Sequence, residues 1–296
     1  MEVYSRILIF SSLLLVAVAC NKKEFCDTLE QHDSNVELRY DWSRGCCIPE
    51  KVEVRLTASS GEVQSTQTPS KVGYLALLED TYQVLAYEKC KNVIVEGTVA
   101  RLQALPDGTL AEPGDFSAGT GYIVLEGGKP YRCTIVMKKQ FNALKVSIET
   151  NGKDAGSIQR MDAKLSGIAL ARDMKSNCCI QTRNGGDESG SMGDIKFGME
   201  QKGTSFAGNV KFLGTTEGSK QVIAISMTYE DGSNQTVEMD VTENISTPED
   251  ETLEDPKPKE ISAGLEVENI KGVFTATITD WNEGSGGDLS ADENKK

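Results

Sequence analysis

The chain has 296 residues, 38% of them hydrophobic and 6% aromatic, which is enough apolar material to bury a sizeable core and to divide into two modest domains. That composition excludes a largely disordered chain. The formal net charge of -14, from 45 acidic against 31 basic residues, excludes the electrostatic footprint of a nucleic-acid binder, because phosphate backbones would be repelled.

The first predicted element is an export signal. Arg6 supplies a small charged start, Ile7 to Ala19 form an apolar run too short to span a bilayer, and small residues at Ala17 and Ala19 lead into Cys20. Ala17-Val18-Ala19-Cys20 resembles the lipobox read by lipoprotein signal peptidase, which implies cleavage between Ala19 and Cys20 and lipid attachment through the Cys20 sulfur. Several acyl chains at roughly 0.8 kcal/mol per buried methylene make a lasting membrane anchor, whereas a single chain binds only reversibly. No second apolar stretch is long enough to span, so everything after Cys20 is expected outside the cytoplasmic membrane. Residues 1–19 are thus the expected leader and 20–34 a polar lipidated tether.

From Val36 the register changes. Val36, Leu38, Tyr40 and Trp42 alternate with polar residues, the period of a half-buried strand, and Val52, Val54 and Leu56 repeat the pattern. Further strands are expected at Tyr82 to Tyr87, Val93 to Glu96, Tyr122 to Leu125, Cys133 to Met137 and Leu144 to Ile148, with turns at Pro106-Asp107-Gly108 and Glu126-Gly127-Gly128. Asn151-Gly152 and Asp154-Ala155-Gly156 mark a boundary. A second set of strands follows at Arg160 to Ala171, Ile195 to Met199, Ser205 to Phe212, Gln221 to Tyr229 and Gln235 to Val241, the last two joined by an Asp231-Gly232 hairpin turn. Residues 247–260 carry Pro248, Pro256 and Pro258 among many charges and read as an exposed loop. Strand character returns at Leu265 to Val267 and over Val273, Phe274 and onward to Trp281, before a Gly-rich, acidic tail. Arg101 to Leu105 and Ile168 to Met174 could hold a turn or two of helix. The expected fold is all-β: a β-sandwich domain at 35–152, a second at 153–282, and a flexible tail at 283–296.

Catalytic chemistry finds little support. The sole histidine, His32, stands in the tether with no nucleophile patterned around it. Acid pairs such as Glu79-Asp80 and Asp187-Glu188 sit in turn-like contexts, and Gly-rich pieces such as Asn184-Gly185-Gly186 lack the ending of a phosphate loop. No catalytic residue, cofactor or metal is therefore assigned. Of the eight cysteines, all but Cys20 form an odd set, and Cys90 and Cys133, in or beside strands, are candidates for a disulfide in an oxidising compartment. The adjacent pairs Cys46-Cys47 and Cys178-Cys179 lack the two-to-four-residue ligand spacing usual in zinc sites.

In chain order the lipobox, the tether, LRYDW (38–42), EDTYQVLAYEKCKNVIVEG (79–97), AKLSGIAL (163–170) and FTATITDWNEG (274–284) resemble the lipoprotein subunits of type V fimbriae, and within that fimbrillin superfamily the FimB-type anchor subunits. The resemblance implies two transthyretin-like sandwich domains, polymerisation by strand donation, and other fimbrial subunits as partners. It also implies a lipid-anchored place at the outer membrane and contact with host or bacterial surfaces through the fimbrium. Incomplete sandwiches expose strand edges and an apolar groove, both of which a donated strand satisfies. Candidate exchanging strands are Val36, Leu38, Tyr40 and Trp42 near the start and Val273, Phe274 and Trp281 near the end, each also readable as a permanent core strand. Shaft subunits of the family are cut after an arginine beyond the first strand, which makes Arg44 a candidate processing site, while the polar tail after Trp281 fits a subunit at the base better. A surface glycan-binding lipoprotein is the competing reading.

Overall fold

The computed structural model describes residues 34–126, 128–151, 155–180, 192–216, 218–245, 259–266, 268–270, 273–275 and 282–283. Its elements are almost all strands. The first half holds β1 (Ser34–Arg44), β2 (Lys51–Ala58), β3 (Val63–Pro69), β4 (Val72–Leu77), β5 (Thr81–Tyr87), β6 (Val93–Glu96), β7 (Val99–Leu102), β8 (Ser117–Val124) and β9 (Tyr131–Lys139). The second half holds β10 (Asn142–Asn151), β11 (Ile158–Ala169), β12 (Ala171–Asp173), β13 (Cys178–Cys179), β14 (Met192–Lys202), β15 (Ser205–Phe212), β16 (Val222–Tyr229) and β17 (Asn234–Asp240). A short helix α1 (Thr242–Ile245) follows, then β18 (Lys259–Glu266), β19 (Glu268–Ile270), β20 (Val273–Thr275) and β21 (Asn282–Glu283). The all-β expectation holds.

A seven-stranded sheet runs β3-β2-β5-β8-β9-β1-β4. Its two edges meet: Gly73 on β4 lies so close to β3 that an added Cβ would stand 2.6 Å from the Thr68 Cβ, and the Tyr40 hydroxyl of β1 lies 2.7 Å from Thr68 Oγ1. The curled sheet closes on Val36, Leu38, Val52, Val54, Leu56, Val84, Ile123, Ile135 and Met137, all buried. These are alternate residues of their strands, as a one-sided apolar face requires. An eight-stranded sheet runs β17-β16-β11-β14-β15-β10-β18-β21 and carries the larger core, built on Leu144, Val146, Ile148, Leu165, Ile195, Val210 and Ile223.

The halves are fused rather than strung together. A four-stranded sheet, β13-β12-β7-β6, takes two strands from each half, with Arg101, Ala100 and Val99 opposite Ala171, Arg172 and Asp173. Leu85 and Ala118 turn away from the first core and join the second, together with Leu102, Leu110 and Phe116. β5 is thus buried on both faces.

Several expectations need correction. β10, expected in the first domain, pairs with β15 and β18 and buries its apolar side in the second core. The helical turns expected at 101–105 and 168–174 do not form: Arg101 and Leu102 belong to β7, Ile168 and Ala169 end β11 against β14, and β12 pairs with β7 and β13, a long-range pairing that overrides a short apolar run's ambiguous period. β3 and β4 were not anticipated from periodicity; β3 is exposed nearly throughout, so it carries no apolar alternation. β18 begins at Lys259, so the expected loop 247–260 gives up its last two residues to a strand, and β21 takes Glu283 from the expected tail. β1 begins at Ser34, the last residue assigned to the tether.

Candidate functional site

The expected lipid-attachment residue Cys20 and the expected cleavage partner Ala19 lie outside the described residues, as do His32 and Trp281. The first candidate exchanging strand is β1. β1 pairs in parallel with β9, Val36 opposite Tyr131 through Asp41 opposite Val136, and antiparallel with β4, Ser34 opposite Leu77 through Arg39 opposite Val72. Val36, Leu38 and Tyr40 are buried, and half-buried Trp42 donates from Nε1 to the Ser70 carbonyl at 2.7 Å. Parallel partners need a long crossover between them. No hairpin therefore ties β1 to β9.

The second half repeats the device near the other end of the chain. β18 lies parallel to β10, Leu144 opposite Lys259 through Asn151 opposite Glu266, and among the described residues only the short β21 lies on its other side. The candidate residues Val273 and Phe274 fall in β20, which pairs with β19 rather than with either large sheet. Of the late strands, β18 and the two-residue β21 enter a large sheet, and β18 includes Lys259 and Glu260 of the expected loop.

Arg44, the candidate processing residue, is the last residue of β1 and is exposed. A groove of about 510 Å³ opens beside it, lined by Asp41, Ser43, Thr120, Thr134, Lys138 and Gln140 among others, with Lys175 and Asn177 reaching in from the second half. The lining is polar and hydrogen-bonding. Trp42 turns to Ser70 and is no platform for a sugar ring; among the described residues the exposed tyrosines are Tyr74 and Tyr122. Of the acid pair Glu79-Asp80, Asp80 accepts hydrogen bonds from the Ser59 hydroxyl and the Thr81 N–H, the work of a turn residue.

Cys90 and Cys133 do not form the disulfide considered for them. Both are free thiols, Cys133 pointing from β9 into the first core and Cys90 packing against the second. Strand neighbourhood in sequence cannot see that two strands serve different cores. Just beyond Arg44 a different grouping appears. The chain bends at Gly45, whose N–H donates to the Trp42 carbonyl at 3.0 Å, and this brings the Cys46 and Cys47 sulfurs to 3.8 Å from each other. Cys47 Sγ also lies 3.5 and 3.6 Å from the two carboxylate oxygens of Glu88, which follows β5. Fully buried Ser117 steadies both sides: its Oγ accepts from Cys46 N–H at 3.1 Å and its carbonyl accepts from Glu88 N–H at 2.9 Å. Burial, then the neighbouring Cys46 and Glu88 charges, push the Cys47 thiol up to about 12. Burial likewise pushes Cys90 up to about 12 and raises the Glu88 carboxyl above its ordinary value. Glu88 and Ser117 were missed from sequence, since no local spacing links them to Cys47.

No family model matches the chain, and no curated protein matches its sequence. Solved structures do match. A candidate adhesin from Bacteroides ovatus is similar with a TM-score of 0.61 at 14% identity, over 81% of this chain and 90% of that one. A second candidate adhesin from Bacteroides ovatus gives 0.55 at 10% identity, over 86% and 96%. A candidate polysaccharide-binding protein from Bacteroides thetaiotaomicron gives 0.52 at 12% identity, over 84% and 96%. At such identities the likeness establishes shared architecture, both halves included.

Proposed function

We propose that this chain is a lipid-anchored, surface-exposed fimbrial subunit that holds a fibre at the outer membrane, joined to its neighbours by β-strand complementation. The observation that carries the reading is β1. It is the strand that follows the tether, it lies between β9 and β4, and it fills the first core with Val36, Leu38 and Tyr40. Tension entering along β1 meets ladder hydrogen bonds that run across the strand, so they are loaded together in shear rather than peeled one by one. A base subunit needs that arrangement. The adhesin-like architecture of the solved neighbours supports a surface adhesion role, and β18, which among the described residues is paired on its outer side at Ile261 and Ser262 alone, offers a place for a neighbour's strand.

The test is Cys20→Ala in cells that make fibres. The expected outcome is loss of the chain from the membrane fraction and release of fibres into the medium; fibres that stay attached overturn the anchor role. A second reading, a shaft subunit, is favoured by the exposed position of Arg44 at the end of β1, where cleavage would free the strand and leave an apolar groove. Mature chains recovered from fibres would then begin at Gly45, whereas an anchor begins at acylated Cys20.

A further inference from the structure

We propose that Cys46, Cys47 and Glu88 form a binding site for a soft divalent cation of the zinc class, at the junction where β1 ends. The donor set suits such an ion, since thiolate sulfur and carboxylate oxygen are both ordinary zinc ligands. The spacing suits it as well. Ligands at about 2.3 Å for sulfur and about 2.0 Å for oxygen, arranged tetrahedrally, stand about 3.8 Å apart for sulfur to sulfur and about 3.5 Å for sulfur to oxygen. The observed separations are 3.8 Å between the two sulfurs and 3.5 Å from Cys47 Sγ to Glu88 Oε1, with all three donor atoms within 4.8 Å of one another. A central ion would need little rearrangement of the Cys47 edges.

Adjacent cysteines are an unusual ligand pair, because neighbouring side chains on an extended strand point to opposite faces. Here the strand has ended and the chain bends at Gly45 and Cys46, so both sulfurs face the same side. Ser117 orients the donors from behind: its hydroxyl is 3.2 Å from Cys46 Sγ and bonds the Cys46 N–H, while its carbonyl fixes the Glu88 backbone. Such a partner behind the ligands is what holds a metal site in shape. Among the described residues Glu88 has no ion pair with a lysine or arginine, so its charge is left for a cation to meet. The fourth position falls to solvent.

Binding balances simply. The carboxylate enters as the anion, each thiol gives up its proton to solvent as its sulfur bonds the metal, and no electron moves. The full chain is titrated with Zn2+ and Co2+ under reducing conditions. One ion per chain is expected, with two protons released and, for Co2+, a sulfur-to-metal charge-transfer band. Cys47→Ser should abolish the stoichiometric ion and the band, Ser117→Ala should weaken binding about 10- to 100-fold, and Cys178→Ser with Cys179→Ser should change neither. Circular dichroism of each variant checks that the fold persists, and Glu88→Gln, which keeps shape, must also weaken the site. Absence of binding, binding indifferent to Cys47→Ser and Glu88→Gln, or recovery from cells of a disulfide that includes Cys46 or Cys47 would each overturn the site. Failure here leaves the anchor reading untouched, since that rests on Cys20.

Discussion

The chain carries the same dipeptide twice, and the two copies meet opposite surroundings. Cys46-Cys47 follows β1 and faces the Glu88 carboxylate, with no cation paired to it among the described residues. Cys178-Cys179 is β13, and Cys179 pairs with Arg172 of β12. That arginine is 9% exposed and donates from Nη1 to the Leu213 carbonyl at 2.7 Å and from Nη2 to Asn177 O at 3.0 Å and Oδ1 at 2.9 Å. Burial raises the Cys179 thiol while Arg172 pulls it down, whereas around Cys47 burial and charge push the same way. One pair lacks a cation and the other is built around one. Identical sequence therefore says nothing of metal affinity until the third dimension supplies the sign of the neighbour.

The sharpest break of this contrast removes the built-in cation. Arg172→Ala should destabilise the protein by about 3 kcal/mol, because the Leu213 and Asn177 carbonyls lose buried donors at the seam between the halves. Urea unfolding followed by circular dichroism measures it, and an unchanged midpoint would remove the arginine from the account. Next in size is Gly214→Ala. The new Cβ would stand 2.5 Å from Cys179 Sγ, and the position has a φ of +148, so a loss of about 2 kcal/mol is expected. Adding Cys179→Ala should recover part of it, since the two changes share one contact. The smallest effect is kinetic. At about pH 8 a thiol titrating near 12 is about one ten-thousandth thiolate, and the thiolate is the nucleophile. Glu88→Gln removes a negative charge beside Cys47, lowers its pKa and should speed its alkylation by iodoacetamide several-fold, with Cys179 unaffected. Peptide mass spectrometry reads both sites at once, and equal rates in the parent and variant would show that the carboxylate does not govern Cys47.

Legibility tracked how local each signal was. Val93 to Glu96 and Ser205 to Phe212 were readable to the residue as β6 and β15, because a two-residue period depends only on where neighbouring side chains point. The Asp231-Gly232 turn was readable for a similar reason: Asp231 accepts from the Ser233 N–H, and Gly232 takes a φ of +81. β3 escaped because Gln64, Ser65 and Thr66 face water and show no apolar face. Ile168 to Met174 misled because a short apolar run fits either period, and the partners that make it strand, β14 for the end of β11 and β7 and β13 for β12, are set by the fold. Arg44, expected in a loop beyond the first strand, is instead the last residue of β1, and Glu88 and Ser117 were not legible at all, standing far along the chain from Cys47.

By itself the sequence determined the strand-rich character, the acidic surface and the positions of the apolar faces, since these follow from composition and from nearest-neighbour geometry. Only the tertiary structure decided that β1 lies parallel to β9 and β18 to β10, that β10 belongs to the second core, and that a carboxylate meets one cysteine pair while an arginine meets the other. Those outcomes depend on contacts between residues distant in the chain, which are chosen when the sheets close on their cores and which no short window of residues contains.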